Sequence, residues 1–193
     1  MQKIGLTGNI GSGKTWTCQI FEALGVPVFY ADLEARKILN SPQTLKEIAG
    51  LFGKDVLNPD QSIDRKALAA IVFNDKNELN KLNQLIHPKL RQEFKTWADQ
   101  HQTFKYVIQE AAILFENGFD KMMDKNICIA APKELRLKRV IQRDQSRRED
   151  VIARMANQWS DEKKEAAADF VVYNDGQQMV LPQILKIHEY LNQ

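Results

Sequence analysis

A glycine-rich segment near the start of the chain carries the clearest chemical signal. Residues 8–15, Gly-Asn-Ile-Gly-Ser-Gly-Lys-Thr, match the phosphate-loop pattern G-x-x-x-x-G-K-[ST] at every fixed position. Glycines let such a loop turn its backbone N–H groups inward, and the start of the following helix adds partial positive charge. Lys14 is therefore expected to contact the β- and γ-phosphates, and the Thr15 hydroxyl to bind Mg²⁺. The segment predicts a nucleoside triphosphate site; a glycine-rich turn that merely caps a helix is the weaker interpretation.

The predicted phosphate-binding residues include one position beyond the motif. Trp16 directly follows the loop, where packing is the default role for its side chain, although its backbone N–H is placed to reach the α-phosphate. The full predicted set is Gly8, Asn9, Ile10, Gly11, Ser12, Gly13, Lys14, Thr15 and Trp16.

A second feature is a basic window between Lys133 and Arg148. It holds seven basic and two acidic residues, a net charge of +5, whereas the whole chain carries only +2. Arg136, Arg139 and Arg143 recur at helical spacing and share one helix face. Arginines on a closing lid stabilise the charge of a transferring phosphoryl group. The alternative is a solvated helix face, and the phosphate loop tips the interpretation toward a lid.

Asp32 follows a predicted strand and is a candidate for acid–base chemistry. The carboxyl ends of parallel strands open toward the ligand crevice, where a carboxylate can accept a proton from an attacking hydroxyl. The alternative is an N-cap aspartate for the next helix, and one residue can fill both roles.

Composition and absent motifs narrow the class of protein. A net charge of +2 excludes a bulk polycation, and no nucleic-acid partner is expected. Neither the switch motif nor the guanine motif of GTPases occurs. Small-molecule kinases fit best, because they need a parallel-sheet core, an acceptor-binding insertion and a basic lid, which the sequence predicts in that order. Cys18 and Cys128 are isolated and are expected to be buried thiols in a reducing compartment. With no apolar segment long enough for a signal peptide or a span, the expectation is a soluble cytoplasmic protein without a membrane partner.

Short apolar runs alternate with helical patterns along the chain, which predicts an α/β fold. The expected architecture is a three-layer parallel sheet of about five strands, of the phosphate-loop NTPase type, with a helical acceptor-binding insertion and a lid. Residues 33–104 are nearly all helical in pattern, with a break between helices predicted at His87-Pro88. Residues 133–165 carry little apolar surface and are expected to be mobile and mostly solvated. The predicted strands are Lys3–Thr7, Val26–Tyr30, Tyr106–Gln109, Asn126–Ala130 and Phe170–Tyr173.

Several strings taken together resemble the dephospho-CoA kinase family over nearly the whole chain. The resemblance rests on Gly5-Leu6-Thr7-Gly8-x-Ile10-Gly11-Ser12-Gly13-Lys14, Ala31-Asp32-x-x-Ala35-Arg36, His87-Pro88, Leu114-Phe115-Glu116, Arg139-x-x-x-Arg143-Asp144, Gln158 and Ala168-Asp169-x-x-x-x-Asn174-x-Gly176. The phosphate loop is shared with many kinases, whereas the other strings are far more specific in combination. Two strings depart from the family pattern: the family often has Asp-Ala-Asp where Tyr30-Ala31-Asp32 stands, and Asp-x-Pro-Leu-Leu-Phe-Glu at 110–116. The first aspartate is thus lost at Tyr30 and the proline at Ala112.

The resemblance implies transfer of the γ-phosphoryl group of ATP, with Mg²⁺, to the ribose 3′-hydroxyl of dephospho-CoA, the last step of coenzyme A synthesis. It implies Asp32 as the general base, with Lys14, Arg139 and Arg143 as the other catalytic residues. Acceptor-side residues would be Thr7, Asp32, Arg36, His87 and Glu110, and Glu110 alternatively orders the Mg²⁺ shell.

The implied organisation is a single kinase domain over 1–193. Its nucleotide-binding core comprises 1–32, 105–132 and 166–193, with a helical CoA-binding insertion at 33–104 and a lid at 133–165. A monomer is expected, with an oligomer left open. The competing interpretations are a kinase for a nucleoside monophosphate or another small metabolite, and a nucleotide-dependent binding module without turnover.

Overall fold

The computed structural model describes residues 1–72 and 74–193. Its strands are β1 (Gln2–Thr7), β2 (Val28–Tyr30), β3 (Tyr106–Glu110), β4 (Lys125–Ala130) and β5 (Phe170–Tyr173). Its helices are α1 (Lys14–Ala23), α2 (Ala31–Leu39), α3 (Pro42–Phe52), α4 (Arg65–Val72), α5 (Lys76–Asp99), α6 (Lys133–Asp144), α7 (Arg148–Ala156), α8 (Asp161–Ala167) and α9 (Val180–Leu191), with short 3₁₀ turns at Lys54–Val56 and Asp120–Met122. The described part of the chain contains no helix that is long and apolar enough to cross a membrane.

All five strands form one parallel sheet in the order β2-β3-β1-β4-β5. The predicted α/β class and parallel sheet are confirmed. Strand β2 is shorter than the predicted Val26–Tyr30 and begins at Val28. Because β1 is the central strand, the loop that follows it opens at the middle of the sheet's carboxyl edge, where parallel sheets bind ligands.

The chain divides into two compact units: Met1–Tyr30 with Ala98–Gln193, called the core unit, and Ala31–Trp97, called the helical unit. In the core unit, alternate residues of β1, β3 and β4 pack against α1 and α9. Ile4, Leu6 and Ile127 on the strands and Phe21 on α1 are completely buried in this cluster. This packing positions the start of α1 against the end of β1.

The helical unit has an apolar cluster of its own, formed by Ile48, Val56, Ile63, Leu68 and Val72. Helix α3 begins at Pro42 and is capped by Ser41, whose hydroxyl accepts a hydrogen bond from the backbone N–H of Thr44 at 3.4 Å.

The predicted break at His87-Pro88 is wrong, because α5 runs through Pro88 without interruption. A proline inside a helix removes one backbone hydrogen bond and costs about 3 kcal/mol. Burial of Ile86, Leu90 and Phe94, which recur every four residues on one face, offsets that cost.

The segment 133–165 is less solvated than its composition suggests. Its residues form α6, α7 and α8, and Leu137, Val140, Val151 and Met155 make a buried cluster against which Ile10 of the phosphate loop packs. Most residues of the segment are nevertheless exposed, so the expectation of a mostly solvated segment is confirmed. The few apolar residues of α6 and α7 are spaced so that they pack against each other. The number of charged residues in the segment does not reveal this packing. The predicted mobility of the segment stays a prediction.

Candidate active site

The phosphate loop leaves β1 at Thr7 and enters α1 at Lys14, as the motif predicts. Gly11 and Gly13 have φ angles of 82° and 102°, which side chains rarely tolerate. A Cβ atom on Gly11 would also lie 2.6 Å from the Arg136 carbonyl oxygen. Gly13 takes the N-cap position of α1 without any side-chain cap, so the first N–H groups of the helix are not satisfied by a capping side chain. The loop is thus built for an anion at the start of α1.

Lys14 lies where its charge faces the loop. Its Nζ donates to the Gly8 carbonyl oxygen at 3.0 Å and lies 4.0 Å from Glu110 Oε1 at the end of β3. Both side chains are about one-tenth exposed. A lysine held this way over its own loop is pre-positioned to contact the phosphates of a nucleotide.

Asn174 and Arg139 support the loop from outside. Asn174 Nδ2 donates to the Ser12 carbonyl oxygen at 2.8 Å, while its Oδ1 accepts from Arg139 Nη2 at 3.2 Å. Arg139 Nη1 also donates to the Gly11 carbonyl oxygen at 3.4 Å. These contacts hold the carbonyl oxygens of Gly11 and Ser12 and so fix the second half of the loop.

The first half of the loop is held by the segment between α7 and α8. The Ile10 N–H donates to Gln158 Oε1 at 2.9 Å. Asn9 Nδ2 donates to the Trp159 carbonyl oxygen at 3.0 Å and to Asp161 Oδ1 at 2.7 Å. Arg136 is only 3% exposed, and its guanidinium pairs with the same Asp161. Arg136 therefore serves the loop's architecture, although its spacing in the sequence groups it with the lid arginines.

A buried ion pair anchors that segment in turn. Lys164 is completely buried; its Nζ donates to the Ala112 carbonyl oxygen at 2.7 Å and pairs with Glu116 Oε1 at 3.0 Å. The same carboxylate oxygen accepts the Trp159 N–H at 2.9 Å. Because Trp159 contacts Asn9, the pair lies one contact away from the phosphate loop.

A cavity of about 230 Å³ opens beside the loop. Thr15 and Trp16 contribute to it from the first turn of α1, and both are exposed. The default expectation that Trp16 is packed is wrong, since the residue is 52% exposed. Arg143 lines the cavity too, while its Nε donates to Asp144 Oδ1 at 2.7 Å. The lining residues are Gly11, Gly13, Lys14, Thr15, Trp16, Arg139, Val140 and Arg143.

The residues available to Mg²⁺ fit the preferences of that ion. Thr15 offers an exposed hydroxyl next to Lys14, and Glu110 offers a carboxylate at the end of β3. Hydroxyl, carboxylate, phosphate and water oxygens are the ligands that Mg²⁺ takes, with few of them from protein. No group of three or more His, Cys, Asp or Glu side chains suited to a metal occurs in residues 1–72 and 74–193. A shared site between a few protein oxygens and a triphosphate is consistent with both observations.

Three predicted acceptor-side residues belong to the helical unit. Asp32 and Arg36 lie on α2, and both are exposed. Because α2 begins at Ala31, Asp32 is a first-turn residue within the helix, and the N-cap interpretation is wrong. His87 lies within α5 and is half-buried; burial and the nearby Arg91 lower the pKa of its imidazole. Thr7, the other acceptor-side candidate besides Glu110, is buried in the core unit, where its Oγ1 donates to the Ala112 carbonyl oxygen at 3.4 Å.

Comparison with known proteins decides among the kinase classes. The family model described as dephospho-CoA kinase matches residues 2–179. A dephospho-CoA kinase of Bacteroides fragilis is 35% identical over 192 residues, covering 99% of this chain and 93% of the relative. One from Chlorobaculum tepidum is 41% identical over 180 residues, covering 90% and 86%. The solved dephospho-CoA kinase of Campylobacter jejuni superposes with a TM-score of 0.70 at 30% identity, covering 98% and 96%.

The chain belongs to the dephospho-CoA kinase family. Two of the positions that depart from the family pattern are Tyr30 and Ala112. The phenol of Tyr30 is uncharged at neutral pH as in free tyrosine, and burial raises its pKa further. At Ala112, where the family usually has proline, the backbone carbonyl is held by Lys164. The path after β3 is therefore set by a hydrogen bond to a buried cation.

Some residues that build this dephospho-CoA kinase site had no role assigned from the sequence. Gln158 and Asn174 were recognised as family positions, but the sequence does not reveal that they hold loop backbone atoms. Lys164 gives no signal of its own, because a lysine in a charged helix is expected at the surface. Its burial is visible only once Glu116 and Ala112 are brought to it by the fold.

Proposed function

We propose that this chain transfers the γ-phosphoryl group of ATP to the ribose 3′-hydroxyl of dephospho-CoA, yielding coenzyme A and ADP in the last step of coenzyme A synthesis. The observation that carries the proposal is the family match over residues 2–179. In the same chain the phosphate loop is formed, and Lys14 Nζ lies over it, bonded to the Gly8 carbonyl oxygen. The competing interpretation as a binding module without turnover requires a degraded site, and the described loop is not degraded.

On the donor side, the backbone of Gly8–Trp16 holds the triphosphate, and Lys14 neutralises the β- and γ-phosphates. The Thr15 hydroxyl would hold Mg²⁺, and the Glu110 carboxylate would order water beside it. When bound, the ion neutralises charge on the phosphate oxygens. The 4.0 Å approach of Lys14 Nζ to Glu110 Oε1 supports this grouping, since both charges face the same loop.

On the acceptor side, Asp32 is the general base. Its carboxylate accepts the proton of the 3′-hydroxyl as that oxygen bonds to the γ-phosphorus, and the bond from the γ-phosphorus to the bridging oxygen of ADP breaks. Asp32 is exposed in the first turn of α2, and this supports the role, because a buried aspartate would not reach a substrate. Arg36 and His87 of the helical unit contact the acceptor, whereas Thr7 is completely buried and supports the end of β1.

Arg139 and Arg143 stabilise the transferring group. Both line the cavity beside the phosphate loop, and an arginine fork matches phosphate oxygens in geometry and charge. Residues 133–165 act as the lid that carries them, and residues 33–104 as the CoA-binding insertion of a single kinase domain whose nucleotide-binding core is 1–32, 105–132 and 166–193.

The proposal includes a reducing compartment, the cytoplasm, and a monomeric enzyme. The reducing compartment is supported by Cys18 and Cys128, which are both free and buried. Thiols kept this way need no oxidising environment for folding.

An ADP-release assay with alternative acceptors tests the proposed function. Dephospho-CoA is expected to support turnover, whereas AMP, CMP and UMP are not. Lys14→Ala serves as the inactive control. Asp32→Asn is expected to lower kcat by about 100-fold or more while the affinity for ATP is retained, because the variant lacks the general base. Turnover with a monophosphate and none with dephospho-CoA would overturn the substrate, and a near-normal kcat for Asp32→Asn would overturn the base.

A further inference from the structure

Trp16 differs from the other two tryptophans of the chain. Trp97 stacks on Phe94 and Trp159 on Phe115, with ring centroids 6.1 and 6.0 Å apart. Trp16 is 52% exposed, and no ring contact to it is found within residues 1–72 and 74–193. The indole of Trp16 is therefore half exposed to solvent and accessible for use in ligand binding.

The position of Trp16 suggests that use. Its side chain lines the 230 Å³ cavity that also contacts Lys14, Thr15 and the two arginines. Among the residues that line this cavity, Trp16 supplies the aromatic surface and Val140 the aliphatic one. A nucleotide whose phosphates are held at the start of α1 must extend its nucleoside away from the loop, and the cavity lies directly beside it.

We propose that the indole of Trp16 is the surface on which the nucleobase of the phosphate donor stacks. This inference rests on the proposed function, because it requires a nucleoside triphosphate on the phosphate loop. Aromatic side chains bind bases through their π-faces, which every base has, so the contact favours any nucleobase over none. The structure thus assigns Trp16 a role through its side chain, separate from any contact that its backbone N–H makes with a phosphate.

Two measurable consequences follow from stacking. Base–aromatic stacking changes affinity by roughly 5- to 150-fold when the aromatic group is removed. Trp16→Ala is therefore expected to raise the KM for ATP and for GTP by similar factors, about tenfold, and to raise the KM for dephospho-CoA far less. Trp16→Phe, which keeps a π-face, is expected to recover most of the affinity. The variants are expected to fold, because more than half of the residue is exposed.

Tryptophan emission distinguishes stacking from simple phosphate binding. ATP and GTP are expected to quench the emission of the unaltered protein but not that of Trp16→Phe. Inorganic tripolyphosphate, which fills the loop without a base, is expected to leave the emission unchanged in both. Trp97→Phe serves as the matched control, and its ATP-dependent quenching should equal that of the unaltered protein.

The outcomes separate failure of this inference from failure of the proposed function. If calorimetry shows ATP binding to Trp16→Ala as tightly as to the unaltered protein, or if tripolyphosphate quenches as strongly as ATP, the stacking role is refuted while the kinase assignment stands. If the unaltered protein binds ATP and phosphorylates no dephospho-CoA, the acceptor is wrong and the stacking role is still decided by the quenching. If the unaltered protein binds no ATP at all, both are overturned.

Discussion

Replacing Lys164 by methionine tests whether a buried ion pair holds the structure around the phosphate loop. Lys164 is completely buried, and its Nζ contacts the Ala112 carbonyl oxygen at 2.7 Å and Glu116 Oε1 at 3.0 Å. Methionine fills similar volume but leaves the Glu116 carboxylate, which is 13% exposed, without its cation. Removing one partner of a buried pair costs about 3–5 kcal/mol.

The magnitude belongs at the lower end of that range. Glu116 Oε1 keeps its hydrogen bond from the Trp159 N–H at 2.9 Å, and the slight exposure of the carboxylate lets water reach it. A loss of about 3 kcal/mol lowers the melting temperature of a domain this size by roughly 6–12 °C. Because Trp159 and Asp161 hold Asn9, the KM for ATP is expected to rise as well, with kcat less affected.

The assay is urea unfolding of four proteins in parallel. Lys186→Met, at an exposed position of α9, is the matched control and should change the free energy of unfolding by less than about 0.5 kcal/mol. Lys164→Met with Glu116→Gln removes both charges while the amide oxygen still accepts from Trp159, so this double variant should be more stable than Lys164→Met alone. A loss below 1 kcal/mol for Lys164→Met, or a double variant less stable than the single one, would refute the reasoning.

Three further predictions address the loop, a histidine and the thiols. Gly11→Ala should raise the KM for ATP at least about tenfold, because its φ of 82° and the Arg136 carbonyl at 2.6 Å both oppose a Cβ. Gly50→Ala within α3 is the control, with open space around it and a small gain in stability expected; equal kinetics for the two variants would contradict the loop geometry. Burial and Arg91 lower the pKa of His87, so the unfolded state takes up its proton first, and the free energy of unfolding falls as pH drops below 6.5. His87→Gln should flatten that part of the stability profile between pH 7.5 and 5, and an unchanged slope would show that another group titrates there. Burial raises the pKa of Cys128 to about 12, and that of Cys18 further, so neither thiol should react with a soluble disulfide reagent at pH 8 until denaturant is added; rapid reaction of the folded protein would contradict the described burial.

Local patterns in the sequence were sufficient to predict the sheet and the loop. The phosphate loop is one contiguous string, and the strand Phe170–Tyr173 is a short run of apolar and aromatic residues bounded by polar ones, so both appear without knowledge of the rest of the chain. The helix through Pro88 was not predictable in this way. Its stability comes from burial of Ile86 and Leu90, and the proline suggests the opposite when read locally.

The supporting contacts of the site lie beyond sequence reasoning for a related reason. Arg136 and Arg139 are three residues apart on one helix, yet Arg136 is buried against Asp161 while Arg139 reaches the carbonyl oxygen of Gly11. Helical spacing places both on the same side but gives no information about depth. How deeply each arginine is buried depends on which residues of α7 and α8 pack against that side of α6, and this is determined by the tertiary fold.

The most direct test of the central claim identifies the product of the reaction. Incubation with Mg-ATP and dephospho-CoA, followed by phosphorus NMR and mass spectrometry, is predicted to show one new phosphomonoester on the ribose 3′-oxygen and one ADP for each acceptor consumed. The product should also replace authentic coenzyme A in an acyl-transfer assay. A phosphoryl group attached at another position, or ATP consumed without any phosphorylated acceptor, would contradict the account.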